Sequence, residues 1–131
     1  MVETNVLREY VNGDFLVTLL KDGTKTRSVR VGCDYDNLEV MYPEVIDIKI
    51  TSQCDNPICR AFCYESSNMQ GEHADFSWLK KFLERIPYGV EAAIGGGNPL
   101  FYPELNEFLT FVKSRGAIPN LTLNQYHVNK L

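Results

Sequence analysis

The segment 45–65, VIDIKITSQCDNPICRAFCYE, joins a strand-like stretch directly to a loop that carries three cysteines. Val45–Ile50 alternates apolar and polar residues, which predicts a β-strand with one buried face. Cys54, Cys59 and Cys63 follow within ten residues, separated by four and three residues. Because α/β proteins bind ligands at the carboxyl ends of parallel strands, the segment predicts a functional loop at the end of a strand.

The residues after this loop alternate between predicted helices and strands, which is the pattern of a parallel sheet built from βαβ units. Apolar residues recur at helical spacing in two segments, with Asp75 or Ser77 available to cap the first, Pro87 to close it, and Gly116 to end the second. The predicted elements are a helix over 76–86, a strand over 90–94, a helix over 105–112, a strand over 121–124 and the start of a helix after residue 125.

The first forty residues predict a separate antiparallel meander of three strands. Asn-Gly at 12–13 and Asp-Gly at 22–23 separate strand-like runs, and these dipeptides are strong hairpin signals. Near residue 43 the pattern changes from strands joined by hairpins to strands that alternate with helices. We therefore expect a β-rich extension over 1–43 and an α/β domain over 44–131. The predicted strands of the extension are Val6–Val11, Phe15–Leu20 and Lys25–Val31.

The composition is that of an ordinary globular protein, with 44% hydrophobic and 23% charged residues among 131. A net charge of -4 and a pI of about 5.1 argue against a broad surface for nucleic acid. The first residues lack a signal-peptide pattern and no apolar run reaches the ~20 residues of a membrane span, so we expect a cytoplasmic protein without a membrane partner. In that reducing compartment, clustered thiols are expected to be ligands or catalytic groups.

The cysteine triplet has the ligand chemistry of a soft metal site. Thiolates select zinc, copper(I) or iron–sulfur clusters, and three of them leave a fourth coordination position open. One alternative is structural zinc in a small adaptor module that recruits a partner protein, with Cys33 or His73 as the fourth ligand. Another is a set of inert or disulfide-paired thiols. A single triplet, instead of two close pairs, argues against the zinc alternative.

Two further segments follow the second and third predicted strands. Gly95-Gly96-Gly97-Asn98-Pro99 begins where the strand 90–94 ends, and glycines at a strand end let a ligand approach the backbone closely. Asn124 ends the third predicted strand. Taken alone, a glycine run is also typical of a flexible turn, and a strand-terminating asparagine is typical of a turn residue. Together with the cysteines, the two segments indicate one shared site at neighbouring strand ends.

These three segments resemble the radical S-adenosylmethionine (SAM) superfamily over residues 44–125. The segment 47–65 resembles the family's cluster loop, in which the usual cysteine spacing is three and two residues. The glycine run resembles the family's Gly-Gly-Glu-Pro motif, with Asn98 at the position of the usual glutamate, and this Gly-Gly-Gly-Asn-Pro variant is similar to uncharacterised members with a β-rich preamble. The resemblance implies an α/β fold, a partial (β/α) barrel of radical SAM type with about three βα units, preceded by a small antiparallel β meander.

The resemblance also implies roles for individual residues. Cys54, Cys59 and Cys63 would each bind one iron of a [4Fe–4S] cluster, and the fourth iron would bind S-adenosylmethionine. Phe62 corresponds to an aromatic position near the adenine, whereas Cys33, on the other side of the predicted boundary, is expected to be a bystander. The other residues implied to contact or approach the cofactor are Gly95, Gly96, Gly97, Asn98 and Asn124.

The implied function is that of a radical S-adenosylmethionine enzyme with an unknown substrate. An electron donor such as flavodoxin or ferredoxin would reduce the cluster, which then generates a 5′-deoxyadenosyl radical. Family cores contain more βα units than are predicted here, so we expect part of a longer protein, or one half completed by the remaining barrel half or by a second copy. The chain alone is then expected to be inactive. A relative that keeps the fold without binding a cluster is the remaining alternative.

Overall fold

The structure is a computed structural model that describes residues 4–131. The chain forms two compact units, which divide between Glu44 and Val45. One unit contains a three-stranded antiparallel sheet and the other a three-stranded parallel sheet with helices, so the predicted α/β class is confirmed. Among the described residues no barrel closes, and no helix has the length and apolar character needed to cross a membrane.

The amino-terminal unit forms the predicted meander, and its strands pair in chain order. A two-residue turn of Gly13 and Asp14 joins the first two strands, and Gly13 has a φ of 61°, which favours glycine. The third strand is shorter than predicted, since it ends at Val29 and not at Val31. The strands are β1 Val6–Asn12, β2 Phe15–Leu20 and β3 Lys25–Val29.

Polar contacts hold the segment that follows β3 to the meander. Asn12 is fully buried, and its side chain donates to the carbonyl of Tyr42 at 2.8 Å and accepts from the amide of Met41 at 2.9 Å. The carboxylate of Asp14 accepts from the amide of Glu39 at 2.9 Å. This unit therefore relies on buried hydrogen bonds as well as on apolar packing.

The carboxyl-terminal unit alternates strands and helices, and its sheet has the order β4-β5-β6 with both pairs parallel. Its core joins apolar side chains of the sheet, such as Ile50 and Ile94, to those of the helices, such as Leu83 and Phe108. The elements are β4 Val45–Thr51, α1 Phe76–Leu83, β5 Glu91–Gly96, a short 3₁₀ helix Pro99–Phe101, α2 Leu105–Ser114, β6 Ile118–Leu121 and α3 Gln125–Val128.

Several predicted boundaries in this unit are wrong, and strand β5, for example, continues through Gly96 instead of ending at Ile94. Helix α1 ends at Leu83, and the chain turns there so that Ile86 packs against the core from outside the helix. Strand β6 begins before Pro119 and ends where the predicted strand 121–124 begins. It is an edge strand, which tolerates a proline because one side of its backbone has no pairing partner.

Candidate functional site

Residues that follow all three parallel strands line one cleft of about 270 Å³. The cleft brings together the three clustered cysteines, two of the three glycines and the asparagine that the sequence singled out. We call it the thiol cleft, and its lining residues are Cys54, Asn56, Cys59, Cys63, Ser67, Gly96, Gly97, Thr122, Leu123, Asn124 and His127.

Short turns in the cysteine loop absorb the wide spacing of its cysteines. The buried side chain of Asn56 accepts from the amide of Ile58 at 2.9 Å, so the first gap contains a local turn. The carbonyl of Cys59 accepts from the amide of Phe62 at 3.1 Å, so the second gap contains another. The extra residues lie in these turns, and the three thiols line one cleft despite the four-and-three spacing.

Backbone amides favour the thiolate form of Cys63. The amide of Ser67 has the largest effect in holding the pKa of Cys63 below its ordinary value, against an opposing effect of burial, and the amides of Glu65 and Ser66 act in the same direction. Ser66 has a left-handed φ of 50°, and its amide also donates to the carbonyl of Cys63 at 3.0 Å. Since the thiolate is the form that binds metal, Cys63 is suited to be a ligand.

The glycine run joins the end of β5 to the start of the cysteine loop. The amide of Gly97 donates to the carbonyl of Thr51 at 2.8 Å, and the amide of Asn98 donates to the carbonyl of Gln53 at 2.7 Å. A Cβ on Gly96 would lie 2.1 Å from the Thr51 oxygen, and one on Gly97 would lie 2.3 Å from the Gln53 oxygen. Close backbone packing therefore requires glycine at both positions, and the same glycines leave their edge of the cleft free of side chains.

Three of the predicted cofactor residues do not line the thiol cleft. Phe62 is 75% exposed. Asn98 is buried, and its side chain caps the 3₁₀ helix by accepting from the amide of Leu100 at 3.1 Å. Gly95 lines a neighbouring cleft. Asn124 does line the thiol cleft, although its side-chain oxygen also accepts from the amide of Tyr126 at 2.9 Å and so caps α3.

The two residues considered as a fourth zinc ligand have other contacts. His73 is exposed and does not line the cleft, and its Nδ1 lies 2.8 Å from the hydroxyl oxygen of Thr51. Cys33 belongs to the amino-terminal unit, where its thiol donates to the carbonyl of Asp14 at 3.9 Å. A hydrogen bond with the side chain of Asp14 is the main reason that the pKa of Cys33 is raised.

Sequence reasoning missed His127, which is 1% exposed and lines the thiol cleft. Its Nε2 lies 3.7 Å from Sγ of Cys54 and 3.2 Å from Oδ1 of Asp55. The ammonium of Lys130 lies 2.5 Å from the other oxygen of Asp55. His127 lies six residues after the end of β6, in the first turn of α3, so the rule that placed Asn124 near the site could also have indicated this histidine.

Comparison with protein-family models and with curated proteins gives no match for the chain. By fold and site, the molecule is a mixed α/β protein with a thiol-lined cleft at the carboxyl ends of parallel strands.

Proposed function

We propose that the thiol cleft holds a [4Fe–4S] cluster on Cys54, Cys59 and Cys63, with S-adenosylmethionine beside it, in a radical SAM enzyme. The observation that carries the proposal is the convergence of three segments on one cleft. The cysteine loop after β4, the glycines at the end of β5 and Asn124 after β6 all contribute lining residues.

The residues of the cleft suit such a cluster. Iron–sulfur clusters bind cysteine thiolates, and the cleft offers three thiols, all unpaired and partly exposed. The backbone amides around Cys63 favour its thiolate, which reduces the cost of deprotonation on binding. Partial exposure leaves the three sulfurs accessible to iron during assembly.

The chain's own residues would hold, orient and shield the cofactors. When bound, the cluster supplies the electron that cleaves S-adenosylmethionine, and the protein supplies position and electrostatics. Gly96 and Gly97 keep one edge of the cleft free of side chains, so that a ligand can approach the backbone there. The electron would come from a donor such as flavodoxin or ferredoxin.

The parallel sheet would be part of a larger barrel. Its three strands form an open sheet whose edges are β4 and β6, and exposed strand edges pair readily with further strands. We therefore propose that the unit is a partial (β/α) barrel of radical SAM type. The remaining barrel half, or a second copy of the chain, would complete it.

Anaerobic reconstitution of the full chain with iron and sulfide tests the function. We expect about four irons per chain with broad visible absorption, and a change in the electron paramagnetic resonance signal of the reduced cluster when S-adenosylmethionine is added. Cys54→Ala, Cys59→Ala and Cys63→Ala should each lose the cluster. Cys33→Ala is the matched control, because it removes another partly exposed thiol, and it should retain the iron.

Two outcomes count against the proposal. The first is a purified chain that holds one tight zinc ion and takes up no iron, which favours the structural-zinc alternative. The second is loss of the metal in Cys33→Ala as complete as in the other variants. That result would mean four protein ligands and no iron available to S-adenosylmethionine.

A further inference from the structure

Asp55 and His127 have no part in the proposed cluster, although both lie beside Cys54. One ligand atom from each of these three residues lies within 4.8 Å of the other two. His127 is buried, and the side chain of Asp55 is 23% exposed. A thiol, a carboxylate and an imidazole together make a donor set that zinc binds readily.

The distances fit one tetrahedral metal ion. With ordinary zinc bonds to sulfur, nitrogen and oxygen, tetrahedral angles separate sulfur from nitrogen by about 3.6 Å and nitrogen from oxygen by about 3.3 Å. The observed separations are 3.7 Å from Sγ of Cys54 to Nε2 of His127, and 3.2 Å from that nitrogen to Oδ1 of Asp55. Two of the three separations thus match those of ligands on one ion, and the third, from Sγ of Cys54 to Oδ1 of Asp55, is below 4.8 Å.

The two carboxylate oxygens of Asp55 differ: one forms an ion pair, and the other has no hydrogen-bond partner. Oδ2 is paired with the ammonium of Lys130, which also lies over the ring of Tyr126 at 4.2 Å. Oδ1 is buried and, despite its short distance to His127, accepts no hydrogen bond. A buried oxygen without a hydrogen-bond partner fits a bound ion or a bound water, and a partner on the other oxygen is how proteins orient a ligating carboxylate.

We propose that Cys54, Asp55 and His127 form a mononuclear site for a divalent metal ion of the zinc type. Cys54 and His127 line the thiol cleft, which offers space for a fourth ligand. Three protein ligands with one open position is the arrangement of catalytic zinc, which binds water or a substrate oxygen there. Metal binding replaces the hydrogen bond between Sγ and Nε2 and releases the proton that these two atoms share.

The inference does not rest on the proposed cluster. The two centres share Cys54, so one chain holds either the cluster or the single ion. Cys59 and Cys63 belong only to the cluster, whereas Asp55 and His127 belong only to the mononuclear site. Variants at these two pairs therefore separate the two proposals.

Titration of the reduced, metal-free full chain with Co²⁺ tests the site, because a cobalt–thiolate bond gives a charge-transfer band and a four-coordinate ion gives intense visible bands. We expect one equivalent to bind, with release of a proton. Loss of a residue that supports a ligand weakens metal binding by about 10–100-fold, so Asp55→Asn and His127→Ala should weaken it at least that much and Lys130→Ala by about tenfold. Cys59→Ala and Cys63→Ala are the matched controls and should bind cobalt like the parent.

Asp55→Asn decides the test even if the buried His127→Ala fails to fold, because the substitution keeps the shape of the side chain. Circular dichroism of each variant verifies the fold. Parent-like cobalt affinity in folded Asp55→Asn, or cobalt binding that is lost in Cys59→Ala, would overturn the proposal, as would the absence of any cobalt binding. Iron reconstitution of Asp55→Asn is expected to remain intact, so failure of the mononuclear site and failure of the cluster give different results.

Discussion

The two units of this protein bury different kinds of side chain. In the carboxyl-terminal unit, apolar residues of three parallel strands and two helices form one continuous core, in which Phe108 and Leu83 are fully buried. In the amino-terminal unit, the buried apolar residues are few, with Val17 completely inaccessible, and Asn12 is buried among them with its hydrogen bonds made. The carboxyl-terminal unit is stabilised mainly by apolar burial. The amino-terminal unit depends also on the hydrogen bonds of the buried Asn12 side chain, which we call the polar anchor.

The difference shows where a site can form. A meander joins strands that are neighbours in sequence, so the carboxyl ends of successive strands lie at opposite ends of the sheet. Parallel strands need crossovers, which bring the carboxyl ends of all three strands to the same end of the sheet. The thiol cleft lies at that end, whereas Cys33 lies in the meander unit beside Asp14.

The largest expected effect is in the apolar core. Phe108→Ala should lower the free energy of unfolding of the carboxyl-terminal unit by about 3–5 kcal/mol, since it removes a fully buried ring and leaves a cavity. Fluorescence of Trp78, the single tryptophan, during chemical denaturation reports on this unit. Phe108→Leu is the control and should cost clearly less. A loss below about 1 kcal/mol in Phe108→Ala would contradict the importance of this core.

The polar anchor of the meander should have a smaller but distinct effect. Asn12→Ala leaves the amide of Met41 and the carbonyl of Tyr42 without their partner, at a cost of about 1–3 kcal/mol. Hydrogen exchange of the β2 amides measures the loss. Asn37→Ala removes an exposed side-chain hydrogen bond to Asp34 and should change exchange much less. Equal effects of the two substitutions would show that burial of Asn12 adds nothing.

A helix cap should contribute less, and its contribution should depend on pH. The hydroxyl of Ser77 and then the amide of Trp78 donate to Asp75, and both hold the pKa of its carboxyl below the ordinary value. The carboxylate therefore stabilises α1 above its unfolded pKa, and this stabilisation is lost as the pH falls through the lowered folded value.

Asp75→Ala should lower the melting temperature by a few degrees at neutral pH. Asp75→Asn keeps a capping oxygen without the charge, so it should cost less at neutral pH and should remove this part of the acid dependence. Thermal melts of the three proteins from neutral to acidic pH measure the difference. The prediction fails if Asp75→Asn and the parent lose stability in parallel on acidification.

The two cysteine environments can be compared without changing stability. The pKa of Cys63 is lowered, mainly by the amide of Ser67, and that of Cys33 is raised, mainly by Asp14. In the metal-free chain, Cys63 should therefore be alkylated at lower pH than Cys33, although both are partly exposed. Mass spectrometry after timed alkylation across a pH series gives both profiles. If the alkylation of Cys63 and that of Cys33 depended on pH in the same way, the two thiols would not differ as a metal ligand and a bystander should.

Several features could be predicted from the sequence because short-range chemistry decides them. Gly13 and Gly23 lie in the turns that Asn-Gly and Asp-Gly predict, although Asn12 itself ends β1, and Gly116 follows α2 with a left-handed φ of 78°. Alternation in Val45–Ile50 predicts β4, and helical spacing predicts α1 and α2. The cysteine loop at a strand end likewise follows from residues that are neighbours in the chain.

Other features depend on residues that meet only in the folded chain. Pro119 joins a strand because the edge of the sheet leaves one side of β6 unpaired. Gly97 is required because the backbone of Gln53 lies where a Cβ would be. His127 lies beside Cys54 although 73 residues separate them. Short-range propensity determined the elements and the position of the loop that carries the thiols. Long-range packing decided which side chains line the cleft together, because the local sequence does not determine contacts between segments that are distant in the chain.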